Sequence, residues 1–243
     1  MHTPRFYTAV PLAAGASVNL NPTAAQHALR VLRLKPGDAV VVFNGERGEY
    51  RARIARAGGH TVNVVMESFD SVERESPLPV GLGQAISAGE RMDYTLRKAV
   101  ELGVAYIQPL ASARSVVKLR GERAAKRVEH WQNIVISACE QCRRNRVPTV
   151  APIADLDDWL AGLHGAGTRL LLSPDATVTL REVAKPQGGI TLLVGAEGGF
   201  SEPERGAALV AGFNEVRLGA RVLRTETAAL AALAALQTLW GDF

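Results

Sequence analysis

Between Arg5 and Met66, apolar and polar residues alternate in short runs broken by turn residues, the pattern of strands rather than helices. Residues 39–43 read as a strand, Asn44-Gly45 as a hairpin turn, 49–57 as an alternating strand, Gly58-Gly59 as another turn and 60–66 as a further strand. Asn21-Pro22 caps and starts one short helix running to about Arg33, and Pro36-Gly37 marks a turn. Short strands with tight turns and one helix predict a small barrel. The acidic, proline-flanked stretch 67–79 carries no period and reads as a linker. Past it the period changes. Strands are predicted at 80–87, 105–110, 169–172, 190–194 and 215–218, and helices at 91–102, 122–143, 155–163, 202–211 and from 225 onward. This alternation predicts an α/β domain, a largely parallel sheet covered on both faces. Ligands of such sheets sit outside the carboxyl ends of the strands, where Ser173, Gly195 and Gly219 fall.

Two of those strand ends carry unusual chemistry. Residues 190–194 run into Gly195-Ala196-Glu197-Gly198-Gly199, three glycines in five positions, which lets the main chain approach a ligand and turn several N–H groups toward it. Ser201, Pro203 and Glu204 then form a capping box that opens a helix. About twenty residues on, Gly219 to Thr227 pack one glycine, two arginines, two threonines and a glutamate into nine positions between a strand and an Ala/Leu helix. Together the loops predict a site for a nucleotide-like cofactor. The glycine spacing is neither the dinucleotide G-x-G-x-x-G fingerprint nor a P-loop, which counts against a nucleotide-dependent oxidoreductase without removing it. As a bare pattern the first loop is equally a structural turn.

A chain of 243 residues with 47% apolar content favours two domains, each with a real core. It has no apolar run of membrane-spanning length and no signal-peptide pattern, so it reads as soluble and cytoplasmic. Cys139 and Cys142 make a single C-x-x-C with no second pair, better read as ordinary residues of one helix than as a zinc site. The net charge of +4 is unevenly spread: residues 1–66 carry eight Lys/Arg against three Asp/Glu, 89–146 twelve against six, and 147–243 seven against eleven. Basic residues in the first 146 positions and their deficit around the glycine loops suggest one surface for a polyanion and a separate small-molecule pocket, although solvated helix and strand faces would look the same.

Several strings carry a resemblance: VGAEGGFSEPE (194–204), LGARVLRTETAAL (218–230), RKAVELG (97–103) and ACEQCRRNRVP (138–148), with RFY (5–7) and HALRVLR (27–33) near the start. In this order, over nearly the whole chain, they resemble the bacterial 16S ribosomal RNA (uracil-1498-N3) methyltransferase family. Ala196 stands where many members have proline. The resemblance implies a PUA-like RNA-binding β-barrel at 1–70, a linker at 71–79 and a SPOUT-type domain at 80–243, with a trefoil knot in about 168–243. It also implies S-adenosyl-L-methionine as cofactor, no metal, 16S rRNA or the small ribosomal subunit as partner, and a homodimer. Leu230, Leu233 and Leu236 of the Ala-rich terminal helix then suit either a dimer contact or simple core packing.

Carried onto this chain, the cofactor contacts are Leu172, Ser173, Gly195, Glu197, Gly198, Leu218, Val222, Leu223, Arg224, Thr225 and Thr227. Uracil N3 keeps its proton at neutral pH, so the reaction needs a base and a cation to stabilise the developing anion. Arg224 is the expected cation and Glu226 the expected base, although Glu226 equally suits a carboxylate at a helix N-terminus. N3 lies on the Watson–Crick edge, so the uridine must be unpaired or flipped out. Arg5, Arg30, Arg33, Arg51, Arg53, Arg143, Arg144 and Arg146 are the expected phosphate contacts, with Arg114 nearer the target base. A non-catalytic ribosome-assembly factor would share the RNA surface without needing the cofactor.

Overall fold

The computed structural model describes residues 3–115 and 119–243. The chain divides into two compact units, one comprising the residues up to Glu75 together with Cys139–Val147, the other Ser76–Ala138 with Pro148–Phe243.

The first unit holds β1 (Arg5–Tyr7), β2 (Ser17–Asn19), β3 (Ala39–Phe43), β4 (Glu49–Gly58) and β5 (Thr61–Asp70) in the order β1-β3-β4-β5-β2. Among the described residues of this unit, only the β1–β3 pairing is parallel. Alternation on β4 buries Ala52 and Ile54 and leaves Arg51 and Arg53 exposed, as a strand with one wet face requires. The buried set also takes in Phe6, Val40, Val42, Val64 and Met66, each fully buried aliphatic contributing roughly 1.5–3 kcal/mol. β5 runs to Asp70, four residues past Met66, where the sequence pattern predicts its end. Glu49, Tyr50 and Arg51 pair with Asp70, Phe69 and Ser68, so ladder hydrogen bonding to β4 overrides an unfavourable local composition. The single helix predicted to about Arg33 is a five-residue α1 (Pro22–Gln26), capped by Asn21 Oδ1 accepting from Ala24 N–H at 2.8 Å, followed by a π-helical turn at His27–Val31.

The acidic stretch after β5 is less a free linker than half of an ion-pair set. Glu73 pairs with Arg146 at 3.0 Å, Glu75 with Arg144, and Asn145 Nδ2 donates to Val72 O at 2.7 Å.

The second unit holds β6 (Val80–Ala85), α2 (Glu90–Glu101), β7 (Val104–Ala111), α3 (Gly121–Cys142, whose last turn groups with the first unit), β8 (Thr149–Val150), β9 (Ala154–Asp155), α4 (Leu156–Ala161), β10 (Thr168–Leu172), β11 (Ile190–Val194), α5 (Glu202–Val210), β12 (Asn214–Val216) and α6 (Thr225–Trp240). All its strand pairings are parallel, in the order β12-β10-β11-β6-β7-β8, with β9 also on β7. Every residue of central β6 is buried. α2 and α6 pack together, with α6 against β6 and β11. Leu156, Leu160 and Ala208, from α4 and α5, join Leu171, Leu193 and Phe213 in a second apolar cluster. β6 lies between β7, its successor in the chain, and β11, so the sheet grows from β6 first toward β7 and β8 and later, on the other side, toward β11, β10 and β12.

Candidate functional site

The loops leaving the carboxyl ends of β10, β11 and β12 enclose a cavity of about 600 Å³, a size that takes a cofactor. Its walls include residues 171–175, 194–200, 215–219 and 221–226, together with Arg91 and Arg114. The β11 loop depends on its glycines. A Cβ on Gly195 would lie 2.9 Å from Gly199 Cα, and Gly199 has φ +67° while its N–H donates to Ala196 O at 2.9 Å. Only glycine permits this fold-back.

Carboxylates anchor the loop at both ends. Glu197 accepts from Ala88 N–H at 3.0 Å and from Arg91 at 2.7 Å. Partial burial works to raise its pKa, but hydrogen bonds from its own backbone, Ala88 and Arg91 more than offset that and hold the carboxyl below the usual range. Glu204 closes the predicted capping box, accepting from Ser201 N–H and Oγ at 2.8 Å, and also takes the Ala113 N–H at 2.7 Å. Its carboxyl too is lowered, against burial, by these donors. Arg114 donates to Gly198 O at 2.7 Å, and a Cβ on Gly198 would meet the Arg114 side chain at 3.3 Å.

The β11 loop and the start of α6 are joined from beneath by a residue that the motifs do not include. Gln84, on β6 and fully buried, donates to Thr225 Oγ1 at 3.0 Å, and Thr225 Oγ1 donates to Gly195 O at 2.6 Å. Gln84 Oε1 has no partner among the described residues. A glutamine inside the apolar run Val-Gly-Leu-Gly-Gln-Ala was the available signal.

Of the expected cofactor contacts, Leu172, Ser173, Gly195, Glu197, Gly198, Leu218, Val222, Leu223, Arg224 and Thr225 all stand on the wall. Two of them have other engagements: the Glu197 carboxylate is held by Arg91 and Ala88, and the Thr225 hydroxyl by Gln84 and Gly195. Thr227 is exposed and off the wall, because two helical residues turn it about 200° from Thr225. Arg224 is exposed at the N-cap of α6, its guanidinium without a partner among the described residues, and Arg221 is in the same state. Glu226 reaches the wall from the first turn of α6, and its Oε2 is buried without a partner. Arg91, Arg221 and Gln84 escaped the sequence reading.

The expected RNA arginines separate into two groups. Arg30, Arg33, Arg51, Arg53, Arg114, Arg143 and Arg146 are exposed. Arg5 and Arg144 are buried, which corrects their expected availability to phosphate. Arg5 pairs with Glu49, donates to Asn145 Oδ1 at 2.7 Å and lies 4.8 Å from the Phe43 ring centroid, while Arg144 forks onto Glu75. On α6, Leu233 and Leu236 are fully buried within this chain, so they fill its core rather than face a partner; Leu230 is half-buried. Cys139 and Cys142 stand on α3 as thiols, not as a disulfide, and burial pushes the Cys139 pKa to about 12. Among the described residues no three His, Cys, Asp or Glu gather as metal ligands, and no helix is long and apolar enough to cross a membrane.

Comparison with known proteins gives a consistent picture. Residues 74–237 match the model of an RNA methyltransferase domain and residues 20–67 that of an RNA methyltransferase PUA domain. The ribosomal RNA small subunit methyltransferase E of Buchnera aphidicola (subsp. Schizaphis graminum) is 36% identical over 98% of this chain and 97% of its own. The crystal structure of the protein of that name from Neisseria gonorrhoeae, bound to S-adenosyl methionine, is 45% identical with a TM-score of 0.93, each chain covered completely. A Legionella pneumophila structure in complex with the cofactor SAM gives 41% and 0.96, again with complete coverage of both.

Proposed function

The chain belongs to the ribosomal RNA small subunit methyltransferase E family, and from that premise we propose that it methylates N3 of one uridine of 16S rRNA, uracil 1498, using S-adenosyl-L-methionine. The observation that carries the reading is the cavity at the carboxyl ends of the strands, whose lining holds the Arg224 guanidinium and the buried Glu226 Oε2, both without a partner among the described residues. Fixed main-chain groups of three loops and the apolar side chains of Leu172, Leu218 and Leu223 suit an adenosine, with polar recognition from backbone and cover from side chains. When bound, S-adenosyl-L-methionine supplies an electrophilic methyl on a sulfonium sulfur.

The chain's own residues supply alignment and proton handling. Loops tied down by Gln84, Glu197 and Glu204 hold one geometry before the substrate arrives, which removes reorganisation from the barrier. Glu226 Oε2 takes the imide proton from N3, and Arg224 offsets the negative charge this leaves on the uracil. The N–H bond breaks toward Glu226, and the N3 lone pair this frees would face the methyl that the bound cofactor presents.

The substrate is 16S rRNA, free or within a small subunit, in the cytoplasm. Arg30, Arg33, Arg51, Arg53, Arg143 and Arg146 contribute phosphate contacts, and Arg114 stands at the cavity margin beside the base. A homodimer belongs to the same reading. Val222, an apolar residue of the cofactor loop, is 81% exposed, as expected of a side chain that a second copy covers. The C-terminal segment after Thr168 is knotted in this reading.

Mass mapping of small-subunit rRNA from cells lacking the protein tests the proposal. N3-methyluridine should disappear at one position and return with the intact gene but not with Arg224→Ala. A fully modified position in the deleted strain would refute the reading, and restoration by Arg224→Ala would favour an assembly factor.

A further inference from the structure

Residues 27–34, His-Ala-Leu-Arg-Val-Leu-Arg-Leu, form a π-helical turn and its exit instead of continuing α1. A period of 3.6 would align Ala25, Ala28, Leu29 and Leu32 on one buried stripe. The wider turn, in which Leu32 N–H donates to His27 O at 3.0 Å, breaks that alignment: Ala25 and Ala28 are buried, while Leu32 is 38% exposed and Val31 68%. The turn is firmly held. Leu34 N–H donates to Ala28 O at 2.9 Å, Leu29 and Leu34 pack on the barrel core, and Arg33 sits at φ +53°, where residues other than glycine are seldom found. Such π turns recur at functional positions. Arg30 and Arg33 flank the apolar tip, both exposed, their guanidiniums without a partner among the described residues.

A rigid apolar tip between two unpaired cations fits a partner that is anionic at its rim and apolar within. Nucleic acid has that profile, with phosphates outside and stacked bases inside. An anionic lipid surface shares the chemistry, but a five-residue turn lacks the extended apolar helix face that interfacial binding uses. We propose that Val31 and Leu32 form a wedge that enters between neighbouring bases of the substrate RNA, with Arg30 and Arg33 on the phosphates to either side. The inference rests on the rRNA-substrate reading above and extends it. Unstacking the strand lowers the cost of exposing a Watson–Crick edge.

The test uses the full chain and structured small-subunit rRNA fragments that carry 2-aminopurine at successive positions. The unaltered protein should raise 2-aminopurine fluorescence on binding. Val31→Ser with Leu32→Ser should lose most of that rise and slow methyl transfer at least about tenfold, with melting temperature and the slope of affinity against salt unchanged. The slowing should shrink on an unstructured oligonucleotide, which needs no unstacking. Arg30→Ala with Arg33→Ala should instead reduce the salt slope by roughly 1.5 to 2. Full fluorescence and rate in the serine variant would overturn the wedge, as would retained RNA unstacking alongside lost binding to phosphatidylserine vesicles. Failure of the unaltered chain to methylate either RNA would bring down the parent reading, a different result.

Discussion

In the N-terminal unit the guanidiniums of Arg5 and Arg74 converge on Glu49, while Arg144 meets Glu75; on the cavity wall of the C-terminal unit, Arg221 and Arg224 meet no carboxylate among the described residues. Nothing local in the sequence tells the two groups apart. Their partners separate them. Where a buried cation is matched by a carboxylate and by backbone carbonyls, it specifies the fold and is unavailable to a ligand; where solvent or an empty cavity faces it, its field is free to act on one. Arg30 and Arg33 show that the distinction lies in pairing rather than in which unit a residue occupies, since both are in the first unit and have no partner among the described residues.

The sharpest way to break the comparison is to remove one arginine of each kind. Arg224→Ala should leave stability within about 0.5 kcal/mol, as an exposed residue, yet cut the methyl-transfer rate roughly hundred- to thousandfold, measured by denaturant unfolding and single-turnover kinetics. A comparable loss of stability would show that Arg224 belongs with the structural set. Gly195→Val should weaken S-adenosylmethionine binding at least about hundredfold, roughly 3 kcal/mol, because the new Cβ meets Gly199 Cα at 2.9 Å; calorimetry reads it directly. Arg5→Ala should do the reverse of Arg224→Ala, costing about 3 kcal/mol of stability by leaving Glu49 buried with Arg74 alone, and leaving cofactor affinity unchanged.

A smaller effect is expected at Gln84→Leu, about 1–3 kcal/mol, since it strips a buried donor from Thr225 and loosens two loops together. Thr225→Val should match it in raising the cofactor dissociation constant, Thr225→Ser should not, and the double variant should fall short of additivity. A drop in melting temperature with unchanged affinity would make Gln84 a core residue only. The least effect comes from acid. Burial opposes ionisation of Glu49, but Arg5 and Arg74 outweigh it and hold the carboxyl below its ordinary value of about 4.5. Glu197 and Glu204 are lowered similarly by their donors. A depressed folded-state pKa gives stability that is complete above the ordinary value and lost as pH falls through the depressed one. Unfolding free energy should therefore be flat in these terms from neutral pH down to about 4.5 and decline below it, and Glu49→Gln should flatten that decline.

Much of the fold was legible because its signals are local. β3 and β11 occupy the predicted 39–43 and 190–194, and the Ser201–Glu204 box opens α5 where the pattern places it. What escaped depends on residues distant in sequence. β5 continues past Met66 because Glu49, Tyr50 and Arg51 pair with it, and Arg144 is lost to RNA because Glu75 lies against it, 69 positions away. The sequence separation also hid the complement between the acidic run 67–75 and the basic cluster 143–146, each half resembling an ordinary charged surface. At the site, strand ends and glycines marked the loops, but only the helix geometry shows Glu226 reaching the wall while Thr227 turns away. The π turn leaves no period to detect: Ala25, Ala28, Leu29 and Leu32 read as a normal helical stripe, and the wider register exposes the last of them.

The most direct trial of the central claim is to incubate the purified chain with methyl-labelled S-adenosylmethionine and small subunits lacking the modification, then digest the RNA to nucleosides. Label should appear in N3-methyluridine, about one methyl per subunit, and be absent with Gly195→Val. Label at another atom, or none on RNA while the unaltered protein holds the donor tightly, would contradict it.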